Sequence, residues 1–236
     1  MKSSKLYLIP TLLGNDDFEK CIPAHNLKII DEIRTFVVEN EKSARKFIKT
    51  ILPQKKQSEL EIYILDKNTS DEELAELVKL FEKNEDLGIL SEAGLPAVAD
   101  PGAKLVKSAH QRKIQVIPLI GPSSILLALM GSGMNGQRFM FHGYLPIDKP
   151  ERKKAIQKLE SESRKNGCTQ IFMETPYRNN QLLDDLIKNC HPSTLICVAS
   201  NLTMEDEFIH TQTAREWAKK KTDFHKKPAI FLLDSN

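Results

Sequence analysis

The chain has 236 residues, 40% of them hydrophobic and 28% charged, which is an ordinary composition for a globular protein with a sizeable core. Its net charge of +2 creates no overall field toward nucleic acid or membrane, so a nucleic-acid partner would need a local basic patch. No apolar run approaches the roughly 18 residues of a membrane-spanning helix, and the apolar start KLYLIP meets a loop too soon to be a signal-peptide core.

The first strand is expected at KLYLIP (5–10), stopped by Pro10 and followed by the turn TLLGN. RTFVVE (34–39) reads as a second strand, with a helical pattern from Glu41 to Leu52 that ends before Pro53. LEIYILD (60–66) is a third strand. Ser70 and Glu73 then form a capping box that opens a helix with Leu74, Leu77, Val78 and Phe81 on one face. DLGIL (86–90) is a fourth strand leading into SEAGLPAVADPG (91–102). Pro96, Pro101, Gly94 and Gly102 rule out a helix or central strand there. AKLVKSAHQRK is helical, QVIPLI (115–120) is a strand, and Gly121-Pro122-Ser123-Ser124 opens the apolar helix ILLALMG. RFMFHGYL then reads as a strand, Lys149–Asn166 as a charged helix and TQIFME (169–174) as a strand. Asn179–Cys190 is helical, TLICVAS (194–200) and EFIHT are strands, Thr213 and Glu216 cap a short helix, and AIFLLD (229–234) closes the chain.

Strands alternating with helices predict α/β architecture with parallel or mixed sheets. The Pro/Gly cluster near residues 118 to 123 sets a boundary between an N-terminal α/β subdomain, 1–118, and a C-terminal one, 119–236, each with its own sheet. Cys21, Cys168, Cys190 and Cys197 form no C-x-x-C pair, and no His pair has metal-ligand spacing. Reduced thiols, no metal and a cytoplasmic location are the expectation. GSGMNG (131–136) matches G-x-G-x-x-G, but a helix precedes it and a strand follows. It therefore reads as a helix stop and turn, not a dinucleotide loop.

What remains is a set of loops at strand C-termini, the edge where open α/β sheets bind ligands. They are PTLLGN (10–15), SEAGLPAVADPG, GPSS, METPYR (173–178) and NLTM (201–204). Each alone is ordinary turn chemistry; together they suggest a cleft.

Their order and content resemble the tetrapyrrole methylase superfamily of S-adenosylmethionine (SAM) methyltransferases, and within it the bacterial 16S ribosomal RNA 2′-O-ribose cytidine methyltransferase family. The family's P-T-P-I-G-N reads here as PTLLGN, and S-D-A-G-T-P with D-P-G reads as SEAGLP with ADPG. P-L-P-G-P-S reads as PLIGPSS, F-x-G-F-L-P as FHGYLP (141–146), and F-Y-E-S-P-H-R as FMETPYR. The resemblance spans nearly the whole chain in the same order. It implies two α/β subdomains with a SAM cleft between them, in a fold that is not Rossmann-like, and a homodimer.

The resemblance also implies site residues. Pro10, Gly94, Leu95, Pro96, Val98 and Ala99 would hold SAM, with Met173 and Leu202 from the second half. Ser123 and Ser124, at a helix N-terminus, would face its carboxylate. Glu39 and Glu174 are candidate bases, and Arg178 would steady a developing alkoxide or a phosphate. The chain also departs from the family pattern. E-D-T-R reads as Glu39-Asn40-Glu41-Lys42, and R-E-L-T-K as Ser200-Asn201-Leu202-Thr203-Met204. A His-rich stretch reads as LDKNTS, and Tyr177 replaces a His. The SAM loops are largely kept, whereas the loops expected to face RNA have lost charge. The expected acceptor is a ribose 2′-hydroxyl of small-subunit ribosomal RNA. The alternatives are a tetrapyrrole or other small molecule, or a SAM-binding protein without transferase activity.

Overall fold

The computed structural model describes residues 4–14, 17–83 and 85–235. Asn15 of the first motif lies outside the described residues. The chain divides into two compact units, one ending at Ser123 and one beginning at Ser124.

The first unit runs β1 (Lys5–Ile9), α1 (Ala24–Glu32), β2 (Thr35–Val38), α2 (Glu41–Ile51), β3 (Glu61–Ile64), α3 (Asp71–Val78), β4 (Leu87–Leu90), α4 (Gly102–Gln111) and β5 (Gln115–Pro118). The strands form one parallel sheet in the order β3-β2-β4-β1-β5. The central strands TFVV and LGIL are buried throughout, because helices cover both faces of a parallel sheet. Their side chains alternate between two cores. Phe36, Val38 and Leu90 pack with Ile30 and Ile48 under α1 and α2, while Val37 and Ile89 pack with Leu77 and Leu105 under α3 and α4. Since all five strands run the same way, the loops that follow them leave by one edge.

Helix α1 had no counterpart among the expected elements. It starts at Pro23 without a side-chain cap, and Asn26 interrupts its apolar face. That asparagine is buried because its side-chain amide donates to the Ile120 carbonyl at 2.8 Å. A polar residue with a tertiary partner hides the helical period from a sequence reading.

The second unit runs α5 (Ser124–Ser132), β6 (Phe139–Tyr144), α6 (Lys149–Asn166), β7 (Thr169–Met173), α7 (Asn179–Asn189), β8 (Leu195–Ser200), β9 (Phe208–Thr213), α8 (Ala214–Trp217) and β10 (Ala229–Asp234). Its mixed sheet has the order β6-β7-β10-β8-β9. β10 is antiparallel to both β7 and β8, and β6 is parallel to β7, so β6, β7 and β8 all end at one edge. Helices α6 and α7 bury Ile156, Leu159, Leu182 and Leu186 against Phe172, Val198 and Phe231. Fully buried Arg152 ties these helices together through Asp185 at 2.5 Å. Helix α5 stops at Ser132, with Gly133 just beyond at φ 71°, as expected for the GSGMNG stretch.

Candidate functional site

In the first unit, the loops after β1, β4 and β5 pack main chain against main chain. The Thr11 amide donates to the Gly94 carbonyl at 2.9 Å, and the Thr11 hydroxyl donates to the Ser91 carbonyl at 3.3 Å. The Ser91 hydroxyl turns back on the Gly94 carbonyl at 3.4 Å. Gly94 has φ 76°, and a Cβ there would lie 3.1 Å from the Leu13 side chain. At Gly121 the limit is space, since a Cβ would fall 2.2 Å from the Pro10 Cβ. Glycine at these two positions lets three loops converge.

The rest of the 91–102 loop is held by a carboxylate. Asp100 Oδ1 accepts from the Ala97 and Gly102 amides, each at 2.8 Å. That clip holds Ala97 (φ 65°) and Ala99 (φ 62°) in the left-handed region, at a cost of about 1–2 kcal/mol for each alanine. Asp100 Oδ2 is buried without a hydrogen-bond partner among the described residues. Burial pushes the Asp100 carboxyl above its ordinary value, and the two amides pull it back in part. Val98, between these two alanines, is 46% exposed.

Glu39, just past β2, joins the same edge. Its Oε1 accepts from the Glu92 amide at 3.1 Å. Burial raises its pKa, the Glu92 amide lowers it, and the Asp100, Glu92 and Asp66 carboxylates raise it further. Glu92 in turn accepts from the Ser43 hydroxyl on α2. A cavity of about 250 Å³ opens beside this network, lined in part by Thr11, Leu12, Ser43, Lys46, Phe47 and Glu92.

In the second unit, Met173 is the last residue of β7, Glu174 and Arg178 follow it on the next loop, and Leu202 lies on the loop after β8. The pairings Met173 with Ile230 and Ser200 with Ala229 bring these two loops to one sheet edge. Arg178 donates to Glu174 Oε1 at 2.6 Å, and the Thr175 amide donates to the same oxygen at 2.6 Å. The Glu174 side chain is 1% exposed. Its Oε2 and Arg178 Nε are buried without hydrogen-bond partners among the described residues. The NLTM loop is strained: Asn201 has φ 50° and the β-branched Thr203 has φ 72°. Asn201 is anchored to Asp206 at 2.7 Å, and Lys227 reaches the same carboxylate at 3.1 Å. Ser124 is the first residue of α5, and Ser123 precedes it.

The structure thus gathers Glu39, Pro10, Gly94, Leu95, Pro96, Val98 and Ala99 at one edge of the first unit. It gathers Met173, Glu174, Arg178 and Leu202 at one edge of the second. Sequence reasoning missed the Asp100 clip and the Ser43–Glu92 contact. The first had a signal, because Asp-Pro-Gly before a helix is turn chemistry in which the Asp side chain caps nearby amides. The second joins residues far apart in the chain and had none.

The family model described as Tetrapyrrole (Corrin/Porphyrin) Methylases matches residues 5–218. The chain belongs to this family. This tetrapyrrole methylase-family protein is therefore a methyltransferase built from two α/β subdomains. Among its relatives is the Ribosomal RNA small subunit methyltransferase I of Buchnera aphidicola subsp. Acyrthosiphon pisum (strain APS). That protein is 28% identical over 232 residues, which covers 97% of this chain and 78% of the relative. The protein of the same name from Hydrogenobaculum sp. (strain Y04AAS1) is 27% identical over 235 residues, covering 98% of this chain and 96% of that protein. The one from Escherichia coli O157:H7 is 25% identical over 235 residues, covering 98% and 78%. Among solved structures, the methyltransferase CobJ superposes with a TM-score of 0.65 at 15% identity, covering 98% of this chain and 94% of that one. The uroporphyrin-III-C-methyltransferase from Thermus thermophilus gives 0.56 at 14% identity, covering 99% and 93%. These two share the fold.

Proposed function

We propose that the protein transfers the methyl group of SAM to a ribose 2′-hydroxyl of small-subunit ribosomal RNA. The observation that carries this reading is similarity along 97–98% of the chain to proteins named ribosomal RNA small subunit methyltransferase I. The proposal includes a cytoplasmic homodimer. Among the described residues, no helix is long and apolar enough to cross a membrane, and the four cysteines are free.

The 91–102 loop suits such a cofactor. Glycine and alanine backbone at positive φ presents main-chain groups with little side chain in the way, and a zwitterionic nucleoside needs donors and acceptors together. We assign cofactor contacts to Pro10, Gly94, Leu95, Pro96, Val98, Ala99 and Ser123 in the first unit, and to Ser124, Met173 and Leu202 in the second. Bound SAM would supply a methyl group already activated on a sulfonium. The chain must then align the acceptor hydroxyl, an effect worth about 7–11 kcal/mol in the best cases, and take up its proton. Glu39 is the proposed base, because burial and neighbouring carboxylates favour its protonated form. Glu174 is enclosed and already engaged by Arg178, so its proposed role is to position that guanidinium for an alkoxide or a phosphate.

The test is transfer of labelled methyl from SAM to small subunits assembled on unmodified RNA, with a metabolite extract in parallel. Label in the RNA supports the reading. Label only in the extract moves the acceptor to a small molecule. SAM binding with no transfer to either makes the protein a SAM binder without this activity.

A further inference from the structure

The loops that resemble RNA-facing segments have lost basic residues, yet the chain concentrates charge elsewhere. KKKTDFHKK (219–227) holds five lysines against one aspartate, in a protein whose net charge is only +2. Its path joins it to the candidate site. Upstream, the Ala214 and Arg215 amides donate to the Thr194 and Pro192 carbonyls, near the C-terminal end of α7. Downstream, the Asn180 side chain donates to Asp223 at 2.7 Å and accepts from the Phe224 amide at 2.8 Å, at the N-terminal end of α7. The segment therefore runs back along α7. It then reaches the METPYR loop, where the Lys226 amide donates to the Pro176 carbonyl at 2.9 Å. Asn179 holds the Lys227 carbonyl at 2.6 Å, and buried Phe224 packs 6.2 Å from Trp217.

These contacts are made by the backbone, by Asp223 and by Phe224, so the fold leaves the lysines to solvent. Lys219, Lys220, Lys221, His225 and Lys226 are all exposed. Lys227 is engaged by Asp206. The acids facing the segment include Glu216, which is bound into its helix cap and feels the Lys219 and Lys220 charges, and Asp223, which is held by Asn180 and feels His225 and Lys227. Where the segment meets the loop, Tyr177 is 69% exposed and its ring lies 5.8 Å from His225, nearly perpendicular to it. A basic track ending at an exposed aromatic beside Arg178 has the chemistry of a single-stranded RNA site, with lysines on phosphates and a ring on which a base can stack.

We propose that Lys219–Lys221 and Lys226, with Tyr177, form the surface that docks the RNA acceptor and leads it to the METPYR loop. This rests on the ribosomal RNA reading given above. The experiment titrates the full chain with unmodified, transcribed small-subunit ribosomal RNA over a salt series. It compares the wild type, the quadruple variant K219Q/K220Q/K221Q/K226Q, and Tyr177→Ala. SAM affinity and the unfolding midpoint serve as controls for folding. The quadruple variant is expected to bind RNA at least about tenfold more weakly, with a salt slope shallower by about 0.7 for each lysine engaged. Tyr177→Ala is expected to lose about fivefold to a hundredfold at an unchanged salt slope. SAM affinity should stay at the wild-type value in both. RNA protection of Lys219–Lys221 from acetylation reads the same surface on the unaltered protein. RNA affinity and slope equal to wild type in the quadruple variant, or equal acetylation with and without RNA, would overturn the docking surface alone. A wild-type protein that binds SAM but neither binds nor methylates the RNA would overturn the acceptor reading and the surface with it.

Discussion

Gly121→Ala tests the convergence of loops from which the cofactor site is inferred. The added Cβ would sit 2.2 Å from the Pro10 Cβ and 2.5 Å from its Cγ. Carbon atoms in contact rest about 3.5–4.0 Å apart, so one loop must recede by more than about 1 Å. Overpacking of this kind costs about 1–3 kcal/mol. At this chain length each kcal/mol lowers the unfolding midpoint by about 2–4 °C, so a fall of roughly 2–12 °C is expected. The movement also reaches the ligand edge, because Thr11, next to Pro10, holds the Gly94 carbonyl at 2.9 Å. A recession of about 1 Å takes that bond beyond hydrogen-bonding range. SAM affinity should fall by up to about tenfold, the equivalent of one hydrogen bond of about 0.5–1.5 kcal/mol lost from the edge that would hold it. Calorimetric titration with SAM and thermal unfolding measure both effects. Gly133→Ala is the control: its φ of 71° strains an alanine but nothing lies within 4 Å, so stability should drop with SAM affinity unchanged. If Gly121→Ala binds SAM like the wild type, the close approach of Pro10 and Gly121 does not shape the cofactor site.

Three further substitutions probe the charged groups. Asp100→Ala removes the clip on Ala97 and Gly102 and should cost about 1.5–3 kcal/mol in denaturant unfolding, with weaker SAM binding; Asp100→Asn keeps an acceptor oxygen and should recover much of both. For Glu39, burial raises the folded-state pKa, so its contribution to stability is full below the unfolded-state pKa and is lost as pH rises through the folded one. Glu39→Gln should therefore raise the unfolding midpoint relative to wild type at about pH 7 and leave it unchanged at about pH 3. It should also lower methyl transfer by about a hundredfold or more and abolish the acidic limb of the pH–rate profile, and a retained limb would exclude Glu39 as the base. Arg178→Met strands the enclosed Glu174 carboxylate and should cost about 3–5 kcal/mol by urea unfolding, with the added change Glu174→Gln restoring part of the loss.

The alternation of strands and helices was legible because the strands are short β-rich runs, those at the centre of the parallel sheet buried throughout, and most helices carry a cap or an apolar stripe. Ser70 and Glu73 form the capping box that their spacing predicts, as do Thr213 and Glu216. Helix α6 spans the same residues as its charged pattern, with Asp148 accepting from the Glu151 amide at its start and Gly167 left-handed at its end. EFIHT was a weak strand signal, and its partner β8 makes it one. Asn26 escaped notice because its partner, the Ile120 carbonyl, lies far along the chain. The candidate site divides in the same way. Loops rich in Gly and Pro stand out in sequence, whereas the links that shape them are tertiary. Thr11 to Gly94, Glu39 to Glu92 and Ser43 to Glu92 join residues 49 or more positions apart, beyond the reach of any local pattern.

The most direct measurement locates the transferred methyl group on the RNA. Small subunits methylated with labelled SAM by this protein would be stripped to RNA and hydrolysed in alkali, which cleaves only where a free 2′-hydroxyl can attack the adjacent phosphate. Label recovered in an alkali-resistant dinucleotide is the expected result, because a methyl on the ribose oxygen blocks that cleavage. Label recovered in mononucleotides would place the methyl on a base and contradict the proposed ribose chemistry, and with it Glu39 as the base that deprotonates a 2′-hydroxyl.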